Sequence, residues 1–148
     1  MEGGKNIYEF VAKILAVDTS KKWISKIKSK LNLSDRVIIE WINVGTLGNW
    51  GRPISYEKRN FFHDYLKSIW MHKEKPQLIL IDGRFRVACF LFSLINGNPG
   101  TKIIFDDYIN RSRYHLVEEF IKPIETFGRQ ALFVIPDNLD VENIKKTI

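Results

Sequence analysis

The chain has 148 residues, 45% hydrophobic and 27% charged, with a formal net charge of +6 and a pI near 9.4. That suffices for one domain, residues 1–148, with a real core, and a single cysteine excludes a disulfide framework and a cysteine-rich zinc site. No signal-peptide pattern and no apolar run near ~18 residues is seen, so a soluble cytoplasmic protein without a membrane partner is expected.

Asn6 with Glu9 makes an N-cap pattern ahead of Ile7, Tyr8, Phe10 and Val11, which predicts a short first helix. Ile14-Leu15-Ala16-Val17 reads as a strand ending at Asp18, and from Thr19 the residues Trp23, Ile24, Ile27 and Leu31 keep helical spacing. Val37 to Ile42 is a β-branched strand followed by the loop Val44 to Pro53. A helix carrying Phe61, Phe62, Tyr65, Leu66 and Ile69 leads to a strand over 78–81, then a helix from Phe85 to Ile95. A strand over 102–105, a helix from Tyr114 to Ile121, and a closing hairpin of Ile124–Phe127 and Ala131–Ile135 turning at Gly128-Arg129 complete the chain.

The runs Leu78-Ile79-Leu80-Ile81 and Ile103-Ile104-Phe105 show no alternation, which suits parallel strands covered on both faces. Strands separated by helices imply a doubly wound, mostly parallel α/β sheet, with the hairpin adding an antiparallel edge. The strands near 14–17, 37–42, 78–81 and 102–105 are expected in one sheet. Ligands of such sheets sit beyond the carboxyl ends of the strands, where Asp82, Asp106 and Asp107 fall.

Residues Ala16 to Trp23, the loop Gly45 to Pro53, the run Ile81-Asp82-Gly83-Arg84-Phe85-Arg86-Val87-Ala88-Cys89, and Asp107-Tyr108 with Tyr114-His115 and Glu118-Glu119-Phe120 follow one another in a recognisable order. Together they resemble the class I S-adenosylmethionine (SAM)-dependent methyltransferases, which have a Rossmann-like fold. The Ile-Asp-Gly turn and the Asp-Asp-Tyr strand end resemble the macrocin O-methyltransferase type. The likeness covers nearly the whole chain from Gly3 on, and implies transfer of a methyl group from SAM to a small-molecule acceptor.

The family opens with a central strand and a glycine-rich turn, of which Gly3-Gly4 resembles only the end, so an N-terminally truncated form of the fold is expected. The expected remedies for a missing central strand are direct pairing of the flanking strands or pairing between chains, which admits a homodimer. The second function class is accordingly a non-catalytic relic of the fold acting as a binding or assembly module.

The resemblance implies cofactor-binding roles for Gly3, Gly4, Asp18, Trp50 and Asp82. A strand-end acid such as Asp18 suits two ribose hydroxyls, or alternatively caps a helix. Asp82, Asp106 and Asp107 match carboxylates that hold Mg²⁺ in macrocin-type enzymes; hard oxygen ligands suit that ion, and the alternative is turn and cap roles. Those enzymes carry a second acid two residues after the first aspartate, where this chain has Arg84. Arg84 and His115 are therefore the catalytic candidates: Arg84, with Arg86, as a clamp for a carboxylate or phosphate, His115 as a base. The alternative is that the arginines neutralise the aspartates and His115 packs or caps. Trp23, Trp41 and Trp70 read as core or edge packing, and Cys89 as a small buried hydrophobe. Lys21, Lys22, Lys26, Lys28 and Lys30 read as a solvated face, so no nucleic-acid partner is expected.

Overall fold

The computed structural model describes residues 12–30 and 35–148, and the chain divides into two units, Met1–Ile69 and Trp70–Ile148. The predicted helix from Asn6, together with Gly3 and Gly4, lies outside the described residues.

In the first unit, β1 (Ile14–Asp18) and β2 (Val37–Trp41) run parallel, registered from Ile14 opposite Val37 to Asp18 opposite Trp41. Their connection contains α1 (Lys21–Lys30). Ser20 starts this helix by accepting the Trp23 N–H on Oγ at 3.2 Å, an N-cap bond of the usual kind. Only Ile24 of α1 is buried, and the five lysines form an exposed face. Trp23 and Trp41 stay about half exposed, with the ammonium groups of Lys26 and Lys21 each 5.1 Å from a ring centroid. The helix predicted around Phe61 to Ile69 is broken into a 3-10 turn at Arg59–Phe61, α2 (Phe62–Lys67) and a second 3-10 turn at Ser68–Met71.

The second unit holds a four-stranded sheet in the order β3 (Leu78–Ile81), β4 (Lys102–Phe105), β6 (Gln130–Val134), β5 (Glu125–Phe127). β3 and β4 are parallel and joined through α3 (Arg86–Asn96); β6 pairs antiparallel with both β4 and β5. Ile79, Ile81, Ile103, Phe105 and Phe133 form one core with Phe90, Leu91 and Leu94 of α3. Phe90 packs edge-on to Phe133, with centroids 4.7 Å apart. A last helix, α4 (Val141–Thr147), which the sequence reading did not foresee, seals this core with Ile144. Asp140 caps it by accepting the Asn143 N–H at 3.0 Å.

Three expectations are corrected. Among the described residues the four parallel strands pair as two separate ladders, β1 with β2 and β3 with β4, not as one sheet. The first ladder is a strand–helix–strand unit by itself, and the second continues through β6 into β5. β3 is not covered on both faces: Ile79 and Ile81 are buried, whereas Leu78 and Leu80 are 59% and 63% exposed. An unbroken apolar run hid a one-sided strand. The segment predicted as a helix from Tyr114 is a 3-10 helix, Ser112–Glu119. Tyr114, Val117 and Phe120, spaced by three, give it the inward face that suits three residues per turn.

Candidate functional site

The parallel register sets the carboxyl ends of β3 and β4 side by side, with Ile81 opposite Phe105. The Asp106 N–H extends the ladder by donating to the Ile81 carbonyl at 3.0 Å. Asp82 follows the first strand, and Asp106 and Asp107 the second. One carboxylate oxygen from each of the three lies within 4.8 Å of the others. Such a trio repels itself unless cations intervene.

The intervening cations are arginines. Arg86, the first residue of α3 and 7% exposed, lies among the strand ends. Its Nε donates to the Gly83 carbonyl at 3.1 Å, and Nη1 donates to the Asp106 carbonyl at 2.7 Å and to Asp107 at 3.3 Å. Its Nη2 is 3.3 Å from Asp82. Arg129, from the β5–β6 turn, binds both Asp106 oxygens and lies 3.4 Å from Asp107. Gln130 adds a 2.8 Å hydrogen bond to Asp106, and Arg111 pairs with Asp107 at 3.1 Å.

This environment separates the three acids. Burial pushes the Asp106 carboxyl up, but hydrogen bonds from Gln130 and Arg129 and the Arg129 charge outweigh it and hold the group below its ordinary value. Asp82 is raised, first by partial burial and then by Asp106 and Asp107, against the lowering effect of Arg86. Its side chain is 58% exposed, so it is the member that faces outward.

Local backbone strain marks the loops that follow three of the strands. The non-glycine residues with positive φ among those described are Trp50 (61°), Phe85 (54°) and Asp107 (55°). They stand in the loops after β2, β3 and β4. Each such conformation costs on the order of 1–3 kcal/mol and persists where surrounding structure enforces it.

In the first unit, Asp18 and Trp50 are drawn to one strand edge through Thr19. The Thr19 hydroxyl donates to the Gly51 carbonyl at 2.8 Å, and its own carbonyl accepts the Trp41 indole N–H at 3.0 Å. Gly51 has φ of +70°, and an added Cβ would meet Thr19 Oγ1 at 2.8 Å, so glycine is required there. Trp50 is consequently held out, 88% exposed. Asp18 Oδ1 accepts the Ser20 N–H at 2.6 Å, a turn role beside the cap that Ser20 itself provides.

Of the remaining candidates, Arg86 rather than Arg84 makes the ion pairs with the aspartates; the Arg84 carbonyl accepts the Cys89 thiol at 3.4 Å. Burial pushes the Cys89 thiol up to about 12, in keeping with an inert packing role. The exposed His115 places Nε2 3.1 Å from the Tyr108 carbonyl and its ring 4.7 Å from that of Tyr108. Arg111, Arg113, Tyr114, Arg129 and Gln130 escaped sequence reasoning. Arg129 meets Asp106 across 23 positions of sequence, and its Gly-Arg context signals only a turn.

The acidic trio does not fit a resident Mg²⁺. Both oxygens of Asp106 and both of Asp107 already accept arginine or glutamine N–H groups or face guanidinium charge, so a cation would have to displace them.

A solved methyltransferase-like protein from Silicibacter pomeroyi matches with 30% identity and a TM-score of 0.77, over 89% of this chain and 72% of that one. The chain belongs to the methyltransferase-like proteins. No family model and no curated protein matches it. No helix among the described residues of this methyltransferase-like chain is long and apolar enough to cross a membrane.

Proposed function

We propose that this methyltransferase-like chain transfers a methyl group from SAM to a small-molecule acceptor, within the macrocin O-methyltransferase-like branch and on a Rossmann-like topology. The observation that carries the reading is the gathering of Asp82, Asp106 and Asp107 at the carboxyl edge of β3 and β4, where open α/β sheets bind ligands. The strained Phe85 and Asp107, in the loops that follow these two strands, support it.

In this reading the Asp18 carboxylate accepts from the ribose hydroxyls, Trp50 offers a flat apolar surface to the adenine, and Gly3 and Gly4, outside the described residues, contribute to the methionine-binding turn. When bound, SAM supplies an electrophilic methyl group on a sulfonium. The outward-facing Asp82 orients the acceptor. Because a backbone carbonyl only accepts, His115 donates from Nε2 to Tyr108 and leaves Nδ1 to receive the acceptor's proton. Arg84 stands at the rim as an electrostatic aid.

One observation favours a non-catalytic binding module instead: the arginines already satisfy most of the carboxylate oxygens. Calorimetry with SAM and S-adenosylhomocysteine separates the two. Measurable binding, lost in Asp18→Ala, is expected; no binding, or binding that Asp18→Ala leaves unchanged, overturns the cofactor assignment.

A further inference from the structure

Beside the aspartates lies one guanidinium, that of Arg113, that their neutralisation does not use. Tyr114 is 9% exposed, yet three guanidinium carbons surround its ring, those of Arg86, Arg111 and Arg113 at 5.7, 6.0 and 5.1 Å from the centroid. Arg111 and Arg113 both donate to its hydroxyl at 3.5 Å. Arg129 joins the group through Asp107, which it shares with Arg86 and Arg111.

Three guanidiniums therefore gather around the Tyr114 ring, and Arg129 is linked to them only through the shared Asp107. Arg86 is buried and consumed by its four acceptors. Arg113 is exposed, and among the described residues no carboxylate pairs with it. Glu118, on the same segment, is engaged by Tyr108 and Lys122. Arg111 and Arg129 keep 42% and 61% of their side chains exposed, so each can turn donors outward while holding Asp107. Burial pushes the Tyr114 hydroxyl up, but hydrogen bonds from Arg113 and Arg111 and the charges of Arg86 and Arg113 outweigh it and draw it below its ordinary value.

We infer that Arg111 and Arg113, floored by Tyr114, form a receptor for an oxyanion, the phosphate or carboxylate group of the acceptor. Planar guanidiniums present paired N–H donors that match both groups. Asp82 and Asp107 compensate Arg86 and Arg111, whereas Arg113, held against the same ring, has no carboxylate counter-charge among the described residues, a place that an added anion would complete. The acceptor role rests on the methyl-transfer reading; the anion site rests on the arginine geometry.

The test is calorimetric titration of the full chain with inorganic phosphate and, separately, with acetate, chloride holding the ionic strength constant. Saturable binding of at least one is expected, weakened about tenfold or more in Arg113→Gln and partly restored in Arg113→Lys. Phosphate binding alone assigns a phosphorylated acceptor, and acetate binding assigns a carboxylate. Arg113 is exposed, and an unchanged melting temperature shows that its variants fold. The inference is overturned if neither anion binds beyond chloride or if Arg113→Gln binds like the parent. A parallel SAM titration keeps the two ideas apart. SAM binding without anion binding removes the oxyanion receptor alone, and anion binding without SAM binding removes the methyl-transfer reading alone.

Discussion

Arg86 shows how one side chain can organise a site. Its fork serves two backbone carbonyls and two carboxylates from a buried position, an arrangement that a planar group with five fixed donors can satisfy. Replacing it by methionine leaves Asp107 without its buried cation and the Asp106 carbonyl without its donor. Arg111 and Arg129 still pair with Asp107, so a loss of about 1–3 kcal/mol is expected, from the buried carbonyl left without its donor, read by urea unfolding. Arg86→Lys should recover little, because a single ammonium cannot reach all four acceptors. A full rescue by lysine would show that charge alone matters. The sequence reading put Arg84 forward as the catalytic candidate, with Arg86 beside it in a clamp. The three-residue reach from Arg86 back to the Gly83 carbonyl, across the left-handed Phe85, brings its guanidinium to the aspartates.

The second unit depends on short elements that close its core at the ends. α4 has only seven residues and would be marginal alone; Ile144, 1% exposed in the core, holds it in place. Ile144→Ala should cost about 2–5 kcal/mol, while Asp140→Ala, which removes only the cap, should cost about 0.5–2 kcal/mol. Thermal unfolding of the two variants checks the order, and equal losses would mean that α4 adds little packing. The same core explains why β3 was misjudged. Alternation of burial cannot be read from Leu-Ile-Leu-Ile, because every position is apolar; only the docking of α3 on one side separates Ile79 and Ile81 from Leu78 and Leu80.

For the molecule as a whole, the distinction between a metal site and an arginine-neutralised site has a simple readout. With Asp106 and Asp107 already committed to Arg86, Arg111, Arg129 and Gln130, millimolar Mg²⁺ should leave the melting temperature unchanged. A Mg²⁺-specific rise, absent with an equal ionic strength of sodium, would show that a cation displaces the arginines and restore the macrocin-type arrangement. Stabilisation by mass action is the signature of any ligand that prefers the folded state.

The sequence by itself determined the local layer: the strands from β-branched and apolar runs, the position of α3, the closing hairpin, and the aspartates at strand ends. Those are short-range consequences of side-chain shape and of the rule that parallel strands deliver ligands to one edge. It also carried the likeness to methyltransferases, which the Silicibacter pomeroyi match supports at the level of fold and family. Tertiary structure alone decided the partners. Arg129 and Gln130 reach Asp106 from a hairpin whose own sequence says only that it turns, and the order β3-β4-β6-β5 within the second unit is not written in any one strand's composition. Local propensity is written into a few adjacent residues, whereas neutralising a charge or completing a sheet requires groups that only the folded chain brings within about 3 Å of one another.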